Sequence, residues 1–253
     1  MLPRTPSYRL DGKRAVVIGG SRGIGLGCAV ALAEQGASVV IVARSKGQVF
    51  EIVNEMKSEG FSVSGAPMDV SIIDNVKNLM GEYSDIDILV NSAGIARHTP
   101  TVDTTELDFD DVMSVNVRSA YFLAQSAAKQ MISKGTGGSI IQISSQMAHV
   151  GGIDRAVYCG TKHAIEGINK SMAIEFGPHK IRVNSICPTF IRTPFTEPTF
   201  KDPEKVKWIE SKIKVGRVGE VEDIMGAVKF LASDVSAMVT GSSILIDGGW
   251  TAG

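Results

Sequence analysis

The sequence predicts an α/β protein built on a parallel sheet with helices on both faces. Three observations predict it. Seven short β-branched runs recur along the chain, helix-patterned segments separate them, and the first run ends in a cluster of glycines. The strand candidates are residues 14–18, 38–42, 63–68, 86–90, 139–143, 181–186 and 243–247. Most are apolar throughout rather than alternating, the pattern of strands covered on both faces. Helices are predicted near 24–35, 45–59, 72–81, 106–133, 158–177 and 221–232. Right-handed crossovers then gather the C-terminal ends of all the strands, and the loops that meet ligands, on one edge.

No internal boundary divides the 253 residues, so the reading is one dinucleotide-binding and catalytic domain over 1–253. The alternation breaks only at about 189–215, a proline-punctuated stretch in which Asp202-Pro203 can start a short helix. Joining the sixth strand to a late helix, it is expected to lie over the ligand edge as a substrate lid, with a plain surface excursion as the alternative.

Lys and Arg number 26 against 27 Asp and Glu, and the basic residues form no stripe, which argues against a nucleic-acid partner. No apolar stretch is long enough to span a bilayer, and the first residues carry no secretory pattern. Cys28, Cys159 and Cys187 match neither a disulfide framework nor a zinc pattern, so they read as buried small hydrophobes in a reducing, cytoplasmic compartment. No metal is expected, because His98, His149, His163 and His179 form no short ligand cluster.

The first strand runs directly into Gly19-Gly20-Ser21-Arg22-Gly23-Ile24-Gly25 and then a helix. Absent Cβ atoms let the chain turn sharply and approach a pyrophosphate, and the helix start offers free N–H groups to it. Gly19, Ser21, Arg22, Gly23, Ile24 and Gly25 are therefore candidate cofactor residues in a Rossmann-type unit. Tight packing without a ligand is the alternative. At the end of the second strand, where NAD readers place a carboxylate for the ribose hydroxyl, stand Ala43 and Arg44. Arg44 and Arg22 suit a 2′-phosphate, so NADP(H) is favoured, with NAD(H) as the alternative.

The fifth strand ends in Ser144-Ser145, and Tyr158 and Lys162 follow one helical turn apart on one face. A phenol is a poor base at neutrality, and a neighbouring ammonium is expected to draw its pKa down. Ser145 can donate to a substrate oxygen as alkoxide character develops.

Taken together, GGSRGIG at 19–25, MDV at 68–70, NSAG at 91–94, SVN at 114–116, SS at 144–145, YCGTK at 158–162 and PTFIRT at 188–193 resemble the short-chain dehydrogenase/reductase family over nearly the whole chain. The resemblance implies a single doubly wound Rossmann-type domain with a seven-stranded parallel sheet flanked by helices. It also implies hydride transfer between NADP(H) and a secondary alcohol or ketone. Tyr158 takes the role of the catalytic tyrosine, Lys162 of the lysine, Ser145 of the substrate-orienting serine and Asn116 of the asparagine supporting a proton relay. Asp69 and Val70 match adenine-contacting positions; Asn91, Ala93 and Gly94 match positions beside the cofactor. Pro188, Thr189, Ile191 and Thr193 fall in the segment that meets the nicotinamide. Ile18, Ser92 and Thr189 depart from the family's usual residues, and Thr189 adds bulk where glycine is common.

Gln146, His149, Arg155, Phe190 and Phe195, with Arg97 and His98 on a neighbouring loop, are candidate substrate contacts. The 190s segment and the C-terminal tail are similar to gluconate and other sugar-acid dehydrogenases, which implies a sugar acid or polyol. A 3-oxoacyl-[acyl-carrier-protein] reductase and a cofactor-binding regulator without turnover are the alternatives. The resemblance also implies a homo-oligomer, with a tetramer favoured.

Overall fold

Strand β1 (Arg14–Ile18) belongs to a seven-stranded sheet in the computed structural model, which describes residues 2–253. The others are β2 (Ser38–Ala43), β3 (Val63–Pro67), β4 (Ile88–Asn91), β5 (Gly138–Ile143), β6 (Ile181–Pro188) and β7 (Ser243–Ile246). Their order is β3-β2-β1-β4-β5-β6-β7, and every neighbouring pair is parallel. The chain moves outward from β1 to β3, then returns across β1 to place β4 on its other side. That reversal makes the crevice above β1 and β4 the switch point at which open α/β sheets bind ligands.

Alternate residues of β1 feed opposite layers of the core, as the period of two requires. Ala15 and Val17 pack with Cys28, Ala29 and Leu32 of α1 (Gly23–Glu34), Val49 and Val53 of α2 (Lys46–Ser58), and Ile224, Val228 and Leu231 of α9 (Glu222–Ala232). Val16 and Ile18 pack instead with Val76 and Leu79 of α3 (Ile73–Glu82), Leu123 and Ala127 of α5 (Ser119–Lys134), and Met172 of α6 (Ala156–Phe176). Every β1 residue from Ala15 to Ile18 is essentially inaccessible, which explains why the strand is apolar on both faces.

The helix expected over 106–133 is interrupted. It comprises α4 (Glu106–Met113), a π-helical turn Ser114–Arg118, and α5. Asn116 lies in the widened turn and spends its side chain on another segment, the circumstance in which π-turns occur at functional positions. Two strand ends differ from expectation by two residues, others by one at most: β6 continues through Cys187 to Pro188, and β4 begins at Ile88.

Residues 189–215 contain the helix expected after Asp202, α8 (Pro203–Lys212), whose first amides are capped by Asp202 Oδ1 at 3.1 and 3.3 Å. A short helix, α7 (Glu197–Phe200), was not legible in the sequence. Beneath them Phe190, Ile209, Ile213 and Val218 form a separate apolar cluster with Phe200 and Trp250. Cys28, Cys159 and Cys187 are buried free thiols. Among the described residues, no helix is long and apolar enough to cross a membrane.

Candidate active site

Above the switch point lies a cleft of about 700 Å³. Its floor is the turn from β1 to α1, where Gly19 and Gly23 hold φ of +74° and +55°, a region that disfavours side chains. Gly25 is needed for another reason: a Cβ there would sit 2.1 Å from the Gly19 carbonyl oxygen. Arg22 occupies the N-cap of α1 in extended conformation, yet no side chain caps the helix and no acid stands in its first turn. The leading amides are thus left for an anion, with the positive end of the helix dipole behind them.

Ala43, Arg44, Ser45 and Gln48 close the cleft where β2 ends. Neither Arg22 nor Arg44 is engaged in an ion pair among the described residues. Two guanidinium groups without an ion-pair partner among the described residues, both lining the cleft, suit a phosphate. Asp69 and Val70 line the same end. Burial acts to raise Asp69, but hydrogen bonds from Ser71 N at 2.9 Å and Ser71 Oγ at 2.7 Å, with the Arg44 charge, hold it below the usual carboxylate range.

At the other end stand Tyr158 and Lys162, one turn apart on α6. Lys162 is 6% exposed and donates from Nζ to the Ile143 carbonyl at 3.0 Å. Burial lowers its pKa to about 8, against the opposing influence of Cys187 and Glu166. Its Nζ stands 5.6 Å from the Tyr158 ring centroid. The expectation that this ammonium draws the phenol down is not met. Burial holds Tyr158 above its ordinary value, and the groups that oppose burial are Ser145 and Arg155 rather than Lys162. The ammonium instead serves the carbonyl at the end of β5.

Ser145 follows β5, 8% exposed, with its Oγ accepting from Met147 N at 3.1 Å. Asn116 does not line the cleft. It lies behind it, joining the loop after β4 to α6: Oδ1 accepts from Ile95 N at 2.9 Å, and Nδ2 donates to Ile95 O at 2.9 Å and to Thr161 Oγ1 at 3.2 Å.

A second, smaller pocket of about 100 Å³ adjoins the cleft, and Ile24, Ser144, Tyr158 and Phe195 line both. Ser145, Gln146, Arg155, Phe190, Phe195 and His98 form much of its wall. The residues predicted for the cofactor divide between these spaces. Gly19, Ser21, Arg22, Gly23, Ile24, Gly25, Arg44, Asp69, Val70, Ala93, Gly94, Tyr158, Lys162 and Thr193 line the large cleft, whereas Pro188, Thr189 and Ile191 line the small pocket. Asn91 lines neither. It is 3% exposed, donating to Gln142 Oε1 at 2.8 Å and accepting from Ala93 N at 3.2 Å, so it shapes the loop from beneath.

Two predicted substrate contacts stand elsewhere. Arg97 pairs with Asp108 at 3.4 Å and Asp111 at 3.8 Å. His149 faces Glu166 and Cys187, the three ligand-type atoms lying within 4.8 Å of one another. That trio was not visible as a cluster in the sequence, and Glu166 already accepts from Ser185 Oγ at 2.7 Å, from Ser243 Oγ and from Cys187 Sγ at 3.6 Å. Among the lining residues, Ser45 and Gln48 were missed, although Ser45 directly follows Arg44 as the N-cap of α2.

A doubly wound sheet with a nucleotide cradle at its switch point, and Ser145, Tyr158 and Lys162 at the far end, defines a nicotinamide-dependent oxidoreductase. The family model described as "Enoyl-(Acyl carrier protein) reductase" matches residues 18–251. The chain is 37% identical over 244 residues to the L-xylulose reductase of Bos taurus, covering 96% of this chain and 98% of that one. It is also 37% identical over 248 residues to the gluconate 5-dehydrogenase of Gluconobacter oxydans (strain 621H), covering 96% of each. A crystal structure of a gluconate 5-dehydrogenase from Burkholderia cenocepacia J2315, in complex with NADP and tartrate, superposes with a TM-score of 0.94 at 34% identity, over 97% of this chain and 98% of that one. The chain belongs to the short-chain dehydrogenase/reductase family and is an NAD(P)-dependent enzyme.

Proposed function

We propose that this enzyme interconverts a secondary alcohol and its ketone on a small sugar acid or polyol, using NADP(H). The observation that carries this reading is that Tyr158 lines both the large cleft and the small pocket, so one phenol reaches from cofactor space into substrate space. The small pocket suits a compact polyhydroxylated molecule better than an acyl-carrier arm. The named activities of the relatives above, and the NADP in the Burkholderia structure, support the same substrate class and cofactor.

The cleft fits the cofactor. Uncapped amides of α1 suit its pyrophosphate, and Arg22 and Arg44 suit the 2′-phosphate. Asp69 and Val70 would hold the adenosine half, Ala93 and Gly94 would pack beside the cofactor, and Lys162 and Thr193 would hold the nicotinamide half, with Pro188, Thr189 and Ile191 meeting the nicotinamide where the small pocket adjoins the cleft and Asn91 fixing the loop below. When bound, the cofactor supplies or accepts a hydride.

The protein's own part is proton handling and placement. Tyr158 is a phenol at neutral pH and gives its proton to the carbonyl oxygen during reduction, recovering it in the reverse direction. Ser145 donates a hydrogen bond to the same oxygen and fixes it against the phenol. Asn116 positions α6 against the loop after β4, keeping Tyr158 and Lys162 in register with the cleft. The chain acts as one catalytic unit, and 189–215 serves as its lid. A homotetramer in the cytoplasm is the assembly and location proposed, checked by light scattering and cell fractionation.

An assay of sugar acids, alditols and β-keto esters with NADPH and NADH, and their oxidised forms for the alcohols, tests this reading. Turnover of a sugar acid or alditol pair with the phosphorylated cofactor is expected. Exclusive use of β-keto thioesters or esters would transfer the protein to acyl reduction.

A further inference from the structure

Arg155 is the residue of the small pocket whose charge is least accounted for. It is the N-cap of the 21-residue helix α6, half-buried, and makes no ion pair among the described residues. Its neighbours in space are a ring and a face: Nη1 lies 3.1 Å from His98 Nε2, and the guanidinium carbon lies 5.3 Å from the Phe190 centroid. Phe190 is only 8% exposed, so the arginine is stacked on an apolar wall. Other arginines around the same edge are neutralised, Arg97 by Asp108 at 3.4 Å and Arg192 by Glu220 at 3.3 Å.

His98 adds no negative charge to compensate. Burial and the charge of Arg155 push its pKa down to about 4, with Asp154 opposing, so at neutral pH the ring is uncharged. An unprotonated Nε2 accepts from the guanidinium and holds it in place. The imidazole also meets the Tyr158 ring edge-on, the centroids 6.0 Å apart, which ties the arginine's support to the reacting phenol. Asp154 is the nearest acid in sequence, but it is exposed and takes no hydrogen bond from Arg155 among the described residues. The Phe190 face favours the stacked guanidinium, but neither that ring nor His98 uses all of the guanidinium's N–H donors, and an anion can take up those that remain. The first turn of α6 contains no acid, and no side chain caps its amides.

We propose that Arg155 is the specificity-determining residue of the substrate pocket, binding the carboxylate of a sugar acid while His98 holds the guanidinium fork, so that the enzyme prefers aldonic or ketoaldonic acids to neutral polyols. This deepens the hydride-transfer reading above and rests on it for turnover. The carboxylate is bound but not altered. Its partner is a planar fork with free donors, which a hydroxyl group satisfies poorly.

The experiment compares matched aldonates and alditols of four to six carbons with NADP, in the wild-type enzyme, Arg155→Met and Arg155→Lys. Calorimetric binding of the same aldonates to the NADP-loaded proteins is measured in parallel. Retained NADP affinity reports that each variant is folded. The wild type is expected to favour an aldonate, and Arg155→Met to lose ~10- to 100-fold in aldonate kcat/KM, chiefly through KM, as expected for a lost charge-assisted hydrogen bond. Alditol kcat/KM should fall at least tenfold less than aldonate kcat/KM, the selectivity ratio being the quantity read, and Arg155→Lys should recover part of the aldonate loss. Equal losses for acids and alditols would reduce Arg155 to an electrostatic influence on Tyr158 and overturn the proposal. So would aldonate binding that is absent or indifferent to the substitution. Arg155-dependent binding without any turnover would keep the anchor and sink the hydride-transfer reading, whereas alditol turnover without aldonate binding would do the reverse.

Discussion

Asn116 holds both backbone polar groups of Ile95, accepting from its N–H and donating to its carbonyl, each at 2.9 Å. The third bond, to Thr161 Oγ1 at 3.2 Å, makes this side chain the clasp between the loop after β4 and the helix that carries Tyr158 and Lys162. Asn116→Ala removes all three bonds and leaves their partners under-satisfied, at a cost of about 1–3 kcal/mol. Thermal unfolding should show a drop in Tm of several degrees, with turnover falling further than stability alone explains. Unchanged turnover in a folded variant would show that the clasp has no part in catalysis.

Gly25→Ala tests the cradle. Its Cβ would fall 2.1 Å from the Gly19 oxygen, and both atoms are tied to the backbone of the turn, so the loop itself must move. Overpacking of this kind costs about 1–3 kcal/mol. Calorimetry should show NADP binding weakened by an order of magnitude or more. Wild-type affinity would place the pyrophosphate elsewhere.

Arg44→Asp replaces a cation that makes no ion pair among the described residues, at the end of β2, with an anion. Loss of a charged hydrogen bond is worth ~10- to 100-fold, so the ratio of NADPH to NADH affinity should fall by at least that much. The wild-type preference should also weaken as salt rises, since part of it is exposed-charge attraction. A ratio that survives the substitution would leave Arg22 as the sole phosphate reader, or none.

The ionisation of Tyr158 follows from its surroundings. Burial raises it above the ordinary 10.0, and Ser145 and Arg155 offset only part of this. A raised pKa means the phenol keeps its proton throughout the neutral range, the state needed to protonate a carbonyl oxygen in reduction. An ultraviolet titration of the free enzyme, wild type minus Tyr158→Phe, should place this phenol's ionisation above pH 10. Ionisation below pH 9 would mean that an attractive charge, not burial, governs the group. Lys162 moves oppositely, to about 8, because burial disfavours its charge.

Local features were the ones the sequence displayed. The glycine turn, the cation at the end of β2 and the four-residue spacing of Tyr158 and Lys162 all depend on contacts within a few residues, and each stands where its spacing placed it. Features set by crossings between distant segments were hidden. The π-turn at Ser114–Arg118 arises with Asn116 bonded to Ile95 and Thr161, 21 and 45 residues away. Arg97 and His149 looked like pocket residues from their neighbours in sequence, but Arg97 turns to Asp108 and Asp111 of α4, and His149 turns to Glu166 and Cys187. The effect on the phenol was misjudged for the same reason. Helical spacing brings Lys162 near Tyr158, but only the packed structure shows its Nζ bonded to the Ile143 carbonyl.

The most direct test is NADPH-linked reduction of a ketose or ketoaldonic acid by the wild type and by Tyr158→Phe, with NADPH affinity measured on both. If the phenol delivers the proton, turnover falls ~10²- to 10⁴-fold while cofactor affinity stays within about twofold. Near-normal turnover by a folded, cofactor-binding Tyr158→Phe would contradict it.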